Sequence, residues 1–376
     1  MPIRIVVPKE TREGECRVAL DPGTAARFQK LGAQVAVQQG AGLGAHIPDD
    51  SYRQQNGIEI VADANVLLET ADVVMKVAPP SIAEVDAMRG GAVLLALLQP
   101  HANQDLVRRL RDHKITSFAM ELLPRISRAQ SMDVLSSQAS VAGYKAALMA
   151  ANMASFFFPM LTTAAGTIRP AKVLVVGAGV AGLQAIATAK RLGAVVEAYD
   201  IRPAAREQVE SLGGRMVDTG VSAEGGGGYA RELTDDERRR QAEVLSKHVA
   251  AASAVITTAS VPGRRAPIIV TKEMVRGMRP GSVLVDLAAD SGGNCELTRP
   301  GETIEEGGVL ISGPLNIASS VPVHASEMFA SNLLNFLSPM IKEGELKLDW
   351  EDEVIAGTAL THDGEIRHAP TREQIG

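Results

Sequence analysis

Short apolar runs recur through the first third of the chain at residues 3–7, 34–37, 72–77, 92–98 and 115–120, separated by stretches of helical period. Consecutive rather than alternating apolar positions mark strands covered on both faces. The rhythm therefore predicts βαβ units in a parallel sheet with helices on both sides. Helix punctuation agrees, since Asp21-Pro22 opens a helix whose apolar positions run through Phe28 to Leu31, and Gly32 closes it.

A second series of the same kind occupies 173–176, 195–199, 254–258, 282–287 and 309–311. Apolar helical stretches at 136–160 and 326–341 bracket it, which predicts that the chain crosses between domains twice. Toward the C-terminus, 353–360 and 365–368 flank an Asp363-Gly364 turn suited to a hairpin, placed on the first domain. The expected architecture is α/β: two Rossmann-like domains with parallel sheets, joined by long helices, the N-terminal one discontinuous. The expected boundaries are 1–135 with 342–376 for the N-terminal domain, and 136–341 for the second domain with its bracketing helices.

Composition narrows the function classes. A chain of 376 residues with 45% hydrophobic content can bury two cores. Its formal net charge of −6, without a long basic run, gives no reason to expect a nucleic-acid partner. Only Cys16 and Cys295 occur, too far apart for a disulfide framework or a cysteine zinc site, which suits a reducing cytoplasm. The opening MPIRIVVPKE lacks the layout of a secretory signal. The nearly uncharged segment 146–166 approaches the roughly 20 residues that span a bilayer, but Asn152, Ser155 and Pro159 interrupt it. It is expected to be a buried helix between the domains, with no direct membrane insertion.

The clearest chemical signal follows the buried-strand pattern at 173–176. There Gly177-Ala178-Gly179-Val180-Ala181-Gly182 leads into a helical stretch, and a second strand ends on Asp200, 23 positions after Gly177. Gly177 permits a tight turn, Gly179 lets a pyrophosphate approach the backbone, and Gly182 lets helix and strand pack closely. The helix N-terminus offers N–H groups and partial positive charge to phosphates. A glycine trio alone is a common turn; in this order of strand, turn, helix, strand and acid it reads as a dinucleotide site. Asp200 is expected to take the adenine ribose hydroxyls and, by repelling a 2′-phosphate, to favour NAD(H), with Ile201 beside it among the cofactor-binding residues. Arg202 could accept the 2′-phosphate of NADP(H) instead.

Three further segments admit both a bland and a functional reading. PRISRAQSMD at 124–133 reads as an exposed loop capping the next helix. Lying where the first domain ends, it would also face a cleft and offer Arg125, Gln130 and Asp133 to a carboxamide and ribose. EGGGGYAR at 224–231 is a flexible linker, or a glycine-hinged lid whose Tyr229 packs on nucleotide. TTASVPG at 257–263 is a strand-to-loop turn, or the far wall of the dinucleotide crevice through Thr258, Ala259 and Ser260. No metal-ligand spacing and no nucleophile motif is present.

With these motifs in order, essentially the whole chain resembles the NAD(H)-binding subunit of proton-translocating nicotinamide nucleotide transhydrogenase. The resemblance is carried by 124–133, by VGAGVAGL at 176–183, by Gly228-Tyr229-Ala230 and by DLA at 286–288 with GGNC at 292–295. It implies a homodimeric peripheral subunit on the cytoplasmic face of the inner membrane, docked on a membrane-embedded subunit and on a separate NADP(H)-binding domain. Hydride would pass directly between the two nucleotides, in a Si/Re-specific reaction coupled to proton translocation. By the same resemblance Arg125, Asp133 and Ser136 hold the nicotinamide end, Gln130 reaches the NADP(H) side, and Asp200 and Tyr229 hold the adenosine end. Because the chain ends at Gly376 without a membrane helix, the version with separate subunits is expected.

Alanine dehydrogenase is the sister family, and Arg17 and Lys76 match the positions where it holds its keto-acid substrate. Its catalytic His would fall near Leu98, which cannot relay a proton, while His101 lies three residues away.

Overall fold

The computed structural model describes residues 2–55, 57–221, 233–260 and 265–375, which form two compact units. One unit comprises Met1–Gln138 with Ser319–Gly376, the other Ala139–Ala318. Strands β1 (Arg4–Val7), β2 (Gln34–Gln38), β3 (Ile58–Val61), β4 (Val73–Met75), β5 (Val93–Ala96) and β6 (Thr116–Ala119) belong to the first. A separate hairpin follows, β7 (Leu161–Thr163) and β8 (Gly166–Ile168). The second unit's sheet uses β9 (Lys172–Val176), β10 (Val195–Tyr199), β11 (Arg215–Met216), β12 (Ala254–Thr257), β13 (Val283–Asp286), β14 (Thr303–Glu306) and β15 (Val309–Ser312). The tail returns to the first unit with β16 (Ile341–Lys342), β17 (Glu345–Leu346), β18 (Ala359–His362) and β19 (Glu365–Ile366).

The first sheet runs β19-β18-β6-β5-β4-β1-β2-β3, parallel from β6 to β3, with β18 antiparallel on β6. The second runs β11-β10-β9-β12-β13-β15-β14, with only β14 antiparallel. Both contain the doubly wound order in which the chain reverses direction across the sheet beside its first strand. Both faces are buried, as the unbroken apolar runs require. Val173 and Val175 join one core while Leu174 and Val176 join the other; in the first sheet Ile5 and Val7 part from Val6 in the same way.

Three elements differ from the sequence expectation. The segment 146–166 is not one helix: the helix Val134–Met153 ends where Ser155 donates its N–H to the Gly281 carbonyl, and the chain proceeds through Pro159 into the exposed β7–β8 hairpin. Residues 353–358 form a short helix, Glu353–Thr358, capped by the Asp352 side chain, and the tail hairpin begins only at Ala359. Asp363 and Gly364 both take positive φ in its turn. The helix Pro322–Leu337 lies in the first unit rather than the second. Phe329, Leu333, Phe336 and Leu337 pack into its core, with Phe336 edge-on to Phe118 at 5.2 Å between ring centroids.

Candidate functional site

Strand register determines what the second sheet presents at its carboxyl edge. Tyr199 pairs with Val176, Val176 with Thr257, and Thr257 with Asp286, so the next residues along each strand emerge side by side. Gly177 and Asp200 leave β9 and β10, while Thr258 leaves β12 across the switch point. Ligands of open parallel sheets bind in the crevice at this position.

Gly177 takes φ +96°, and a Cβ there would lie 2.7 Å from the Thr258 Oγ1. Gly182 opens the helix Val180–Arg191 so close beneath the turn that a Cβ would fall 1.8 Å from the Gly177 carbonyl oxygen. Around Gly179, in contrast, no atom of the described residues beyond its chain neighbours lies within 4 Å of a Cβ position. Gly179 is also the helix N-cap and, having no side chain, makes no capping hydrogen bond to the first turn. A pyrophosphate fits these features: an open approach to backbone, and helix N–H groups directed toward it. Ala178 has a buried side chain, whereas Val180 is exposed.

Asp200 is half-buried beside this turn, with 6% of its side chain exposed. Its Oδ2 accepts from the Ala178 N–H at 2.7 Å and from Arg202 Nη2 at 2.8 Å; its Oδ1 accepts from the Arg202 N–H and Nε, each at 2.9 Å. Burial works to raise its pKa, but the Arg202 guanidinium and the two amides outweigh it and hold the carboxyl below its ordinary value. Asp200, Ile201 and Arg202 thus stand beside Gly177–Gly182, with Arg202 already engaged on the carboxylate. Thr258 and Ala259 are half-buried and Ser260 is exposed. Tyr229 and residues 261–263 lie outside the described residues.

The other set of expected residues belongs to the first unit. Within 124–133, Ser127–Met132 forms a 3-10 helix that buries Ala129 and Met132 and exposes Gln130; Arg125 is exposed. Asp133 accepts from Ser136, at 3.0 Å from its N–H and 2.6 Å from its Oγ, and so caps the long helix at Val134. Residues remote in sequence anchor the same segment. Arg128 makes a bidentate pair with Asp352 at 2.6 and 2.7 Å, and the Ser131 carbonyl accepts from Asn332 and Asn335 at 2.9 and 3.0 Å.

Arg17 and Lys76 are buried in ion pairs. Arg17 binds Glu15 through Nε and Nη2 at 2.7 and 2.6 Å and Gln138 through Nη1, and Lys76 binds Glu84 at 2.7 Å with Glu10 at 3.4 Å. Burial drives the Glu10 pKa up, against the pull of Lys76. The Leu98 side chain is fully buried in the apolar core, and His101 is exposed. Among the described residues no group of three or more His, Cys, Asp or Glu could hold a metal ion, and no helix is long and apolar enough to cross a membrane.

Residues 6–142 match the family Alanine dehydrogenase/PNT, N-terminal domain, and residues 146–369 match Alanine dehydrogenase/PNT, C-terminal domain. The chain is 49% identical to an NAD(P) transhydrogenase subunit alpha chain of Rhodospirillum rubrum, over 97% of its own length and 98% of that protein. A solved transhydrogenase from Sinorhizobium meliloti matches with a TM-score of 0.86 at 44% identity, covering 98% of this chain and 99% of that one. An L-alanine dehydrogenase structure matches with a TM-score of 0.82 at 27% identity, covering 99% and 98%.

Proposed function

The chain belongs to the alanine dehydrogenase/PNT family, and we propose that it is the NAD(H)-binding subunit of a proton-translocating transhydrogenase. The observation that carries the reading is the Gly177–Gly182 turn, closed at Gly177 and Gly182 but open at Gly179, beside Asp200 at the sheet's switch point. Bound NADH supplies a hydride to NADP+ held by a separate partner domain.

This chain's own residues position and shield. The N-terminus of the helix Val180–Arg191 neutralises pyrophosphate charge, and Asp200 selects an unphosphorylated ribose. Arg125, Asp133 and Ser136 orient the nicotinamide end, while Gln130 reaches toward the partner's nucleotide. Thr258, Ala259, Ser260 and Tyr229 complete the cofactor's surroundings. Direct hydride transfer asks for alignment of two carbons and no protein acid or base, which agrees with a Leu98 side chain sealed in the core. The subunit acts as a homodimer, peripheral at the cytoplasmic face of the inner membrane through a membrane-embedded partner that couples transfer to proton translocation.

The test mixes the purified chain with NADH and a soluble NADP(H)-binding partner, and compares hydride transfer with NADH oxidation by pyruvate plus ammonia. Transfer only in the first mixture is expected. Oxidation only in the second would make the protein an amino-acid dehydrogenase, and tight NADH binding with activity in neither would make it a regulatory NAD-binding protein.

A further inference from the structure

β13 ends on Asp286, a fully buried carboxylate without an ion-pair partner among the described residues. Burying such a charge is costly unless its lone pairs are satisfied. Here five donors satisfy them. Oδ1 accepts from Thr257 Oγ1 at 2.8 Å and the Ala288 N–H at 3.0 Å; Oδ2 accepts from Thr298 Oγ1 at 2.6 Å and from the Asn294 and Cys295 N–H groups at 2.7 and 3.1 Å.

The arrangement does more than close its own loop. Asn294, whose backbone Asp286 holds, is itself fully buried and turns its amide onto the loop leaving β12. Its Oδ1 accepts from the Ala259 N–H at 2.9 Å, and its Nδ2 donates to the carbonyls of Ala259 and Pro267 at 2.7 and 2.8 Å. Both backbone polar groups of Ala259 are thereby held by one side chain, as a neighbouring strand would hold them. The preceding residue, Thr258, donates its N–H to the Val176 carbonyl at 2.8 Å and its hydroxyl to the Gly177 carbonyl at 3.0 Å. A hydrogen-bonded chain therefore runs from Asp286 through Asn294, Ala259 and Thr258 to the glycine turn.

We infer that Asp286 and Asn294 are positioning residues for the dinucleotide, fixing Thr258–Ser260 against Gly177 and so shaping the side of the crevice opposite Asp200. The inference rests on the reading that this turn takes NAD(H). Asp200 leaves β10 and belongs to the adenosine half, whereas Thr258 leaves β12 across the switch point, so the relay governs the nicotinamide half.

NADH and AMP titrations of the full chain test this, together with thermal unfolding of each variant. Asn294→Ala, which removes all three side-chain hydrogen bonds to Ala259 and Pro267, should weaken NADH binding about tenfold and leave AMP affinity within about twofold. Thr258→Val, which removes the hydroxyl contacts to the Gly177 and Val176 carbonyls, should show the same split, and Thr258→Ser should restore NADH binding. Should Asn294→Ala fail to fold, the Thr258 pair carries the test. Equal losses for NADH and AMP, or NADH affinity unchanged in both Asn294→Ala and Thr258→Val, would overturn the inference. A wild-type chain that binds no NADH would instead overturn the functional reading beneath it.

Discussion

Arg202 closes onto Asp200 with both its backbone N–H and its guanidinium, so that together with the Ala178 N–H the carboxylate already has four protein donors. A ribose diol gripping Asp200 must displace the guanidinium, which makes Arg202 a competitor for the NAD(H) contact and a natural partner for a 2′-phosphate. The two residues should therefore push cofactor choice in opposite directions. Asp200→Ala should lower the ratio of NADH to NADPH affinity, and Arg202→Ala should raise it. Calorimetric titration of both nucleotides measures the ratio; no change in either variant would remove this pair from ribose recognition.

The glycines of the turn should separate stability from binding. A methyl on Gly182 would lie 1.8 Å from the Gly177 carbonyl oxygen, so Gly182→Ala must push helix from strand, an overpacking that costs about 1–3 kcal/mol. NADH affinity should fall with it. Gly179 has φ −77° and, among the described residues, open space around it, so Gly179→Ala should leave the melting temperature unchanged while weakening NADH by obstructing the backbone approach. If Gly179→Ala binds NADH normally, the pyrophosphate does not lie over this turn.

The strands, the glycine turn and Asp200 were legible because each is written in neighbouring residues: β-branched runs, a spacing, an acid at a strand end. The edge strands Ile58–Val61, Arg215–Met216 and Thr303–Glu306 were not, since a strand with solvent on one side and polar residues among its few positions has no apolar run. The helix Pro322–Leu337 falls with the second series on sequence alone, because apolar period announces burial but not which core supplies it. Asn332, Asn335 and Asp352 escaped for a related reason. They act on 124–133 across more than 200 residues of chain, and no local pattern distinguishes an asparagine that holds a distant carbonyl from one that faces water.

The single tryptophan reports on a histidine. Trp350 packs against His362 with 4.2 Å between ring centroids, and burial, with Arg367 adding to it, holds the His362 pKa below its ordinary 6.5 despite Asp363 nearby. Because the folded-state pKa is the lower one, the unfolded chain takes up the proton first as pH falls. The resulting loss of stability begins near pH 6.5 and levels off once the folded imidazole is protonated. Trp350 emission should be quenched by the imidazolium with a midpoint below 6.5, and His362→Gln should abolish the transition. A transition surviving in His362→Gln would assign it to another group.

Gln130 distinguishes holding NADH from delivering its hydride. It is exposed on the Ser127–Met132 turn, whose buried Ala129 and Met132 and whose anchors, Arg128 on Asp352 and Ser131 on Asn332 and Asn335, fix the backbone independently of the Gln130 side chain. Gln130→Ala should therefore leave folding and the set of the loop intact. If its amide reaches the partner's nucleotide, its loss should misplace the two nicotinamide rings, and a misplacement near 1 Å costs on the order of a hundredfold in rate. Two measurements are paired: equilibrium NADH binding to this chain alone, expected within about twofold of wild type because no hydrogen bond to NADH is lost, and single-turnover hydride transfer after adding the NADP(H)-binding partner. An unchanged transfer rate would take Gln130 out of the reaction site. A matching loss of NADH affinity would make it an ordinary cofactor ligand, and the role of reaching across to the second nucleotide would pass to Arg125, the exposed side chain among the three expected at the nicotinamide end.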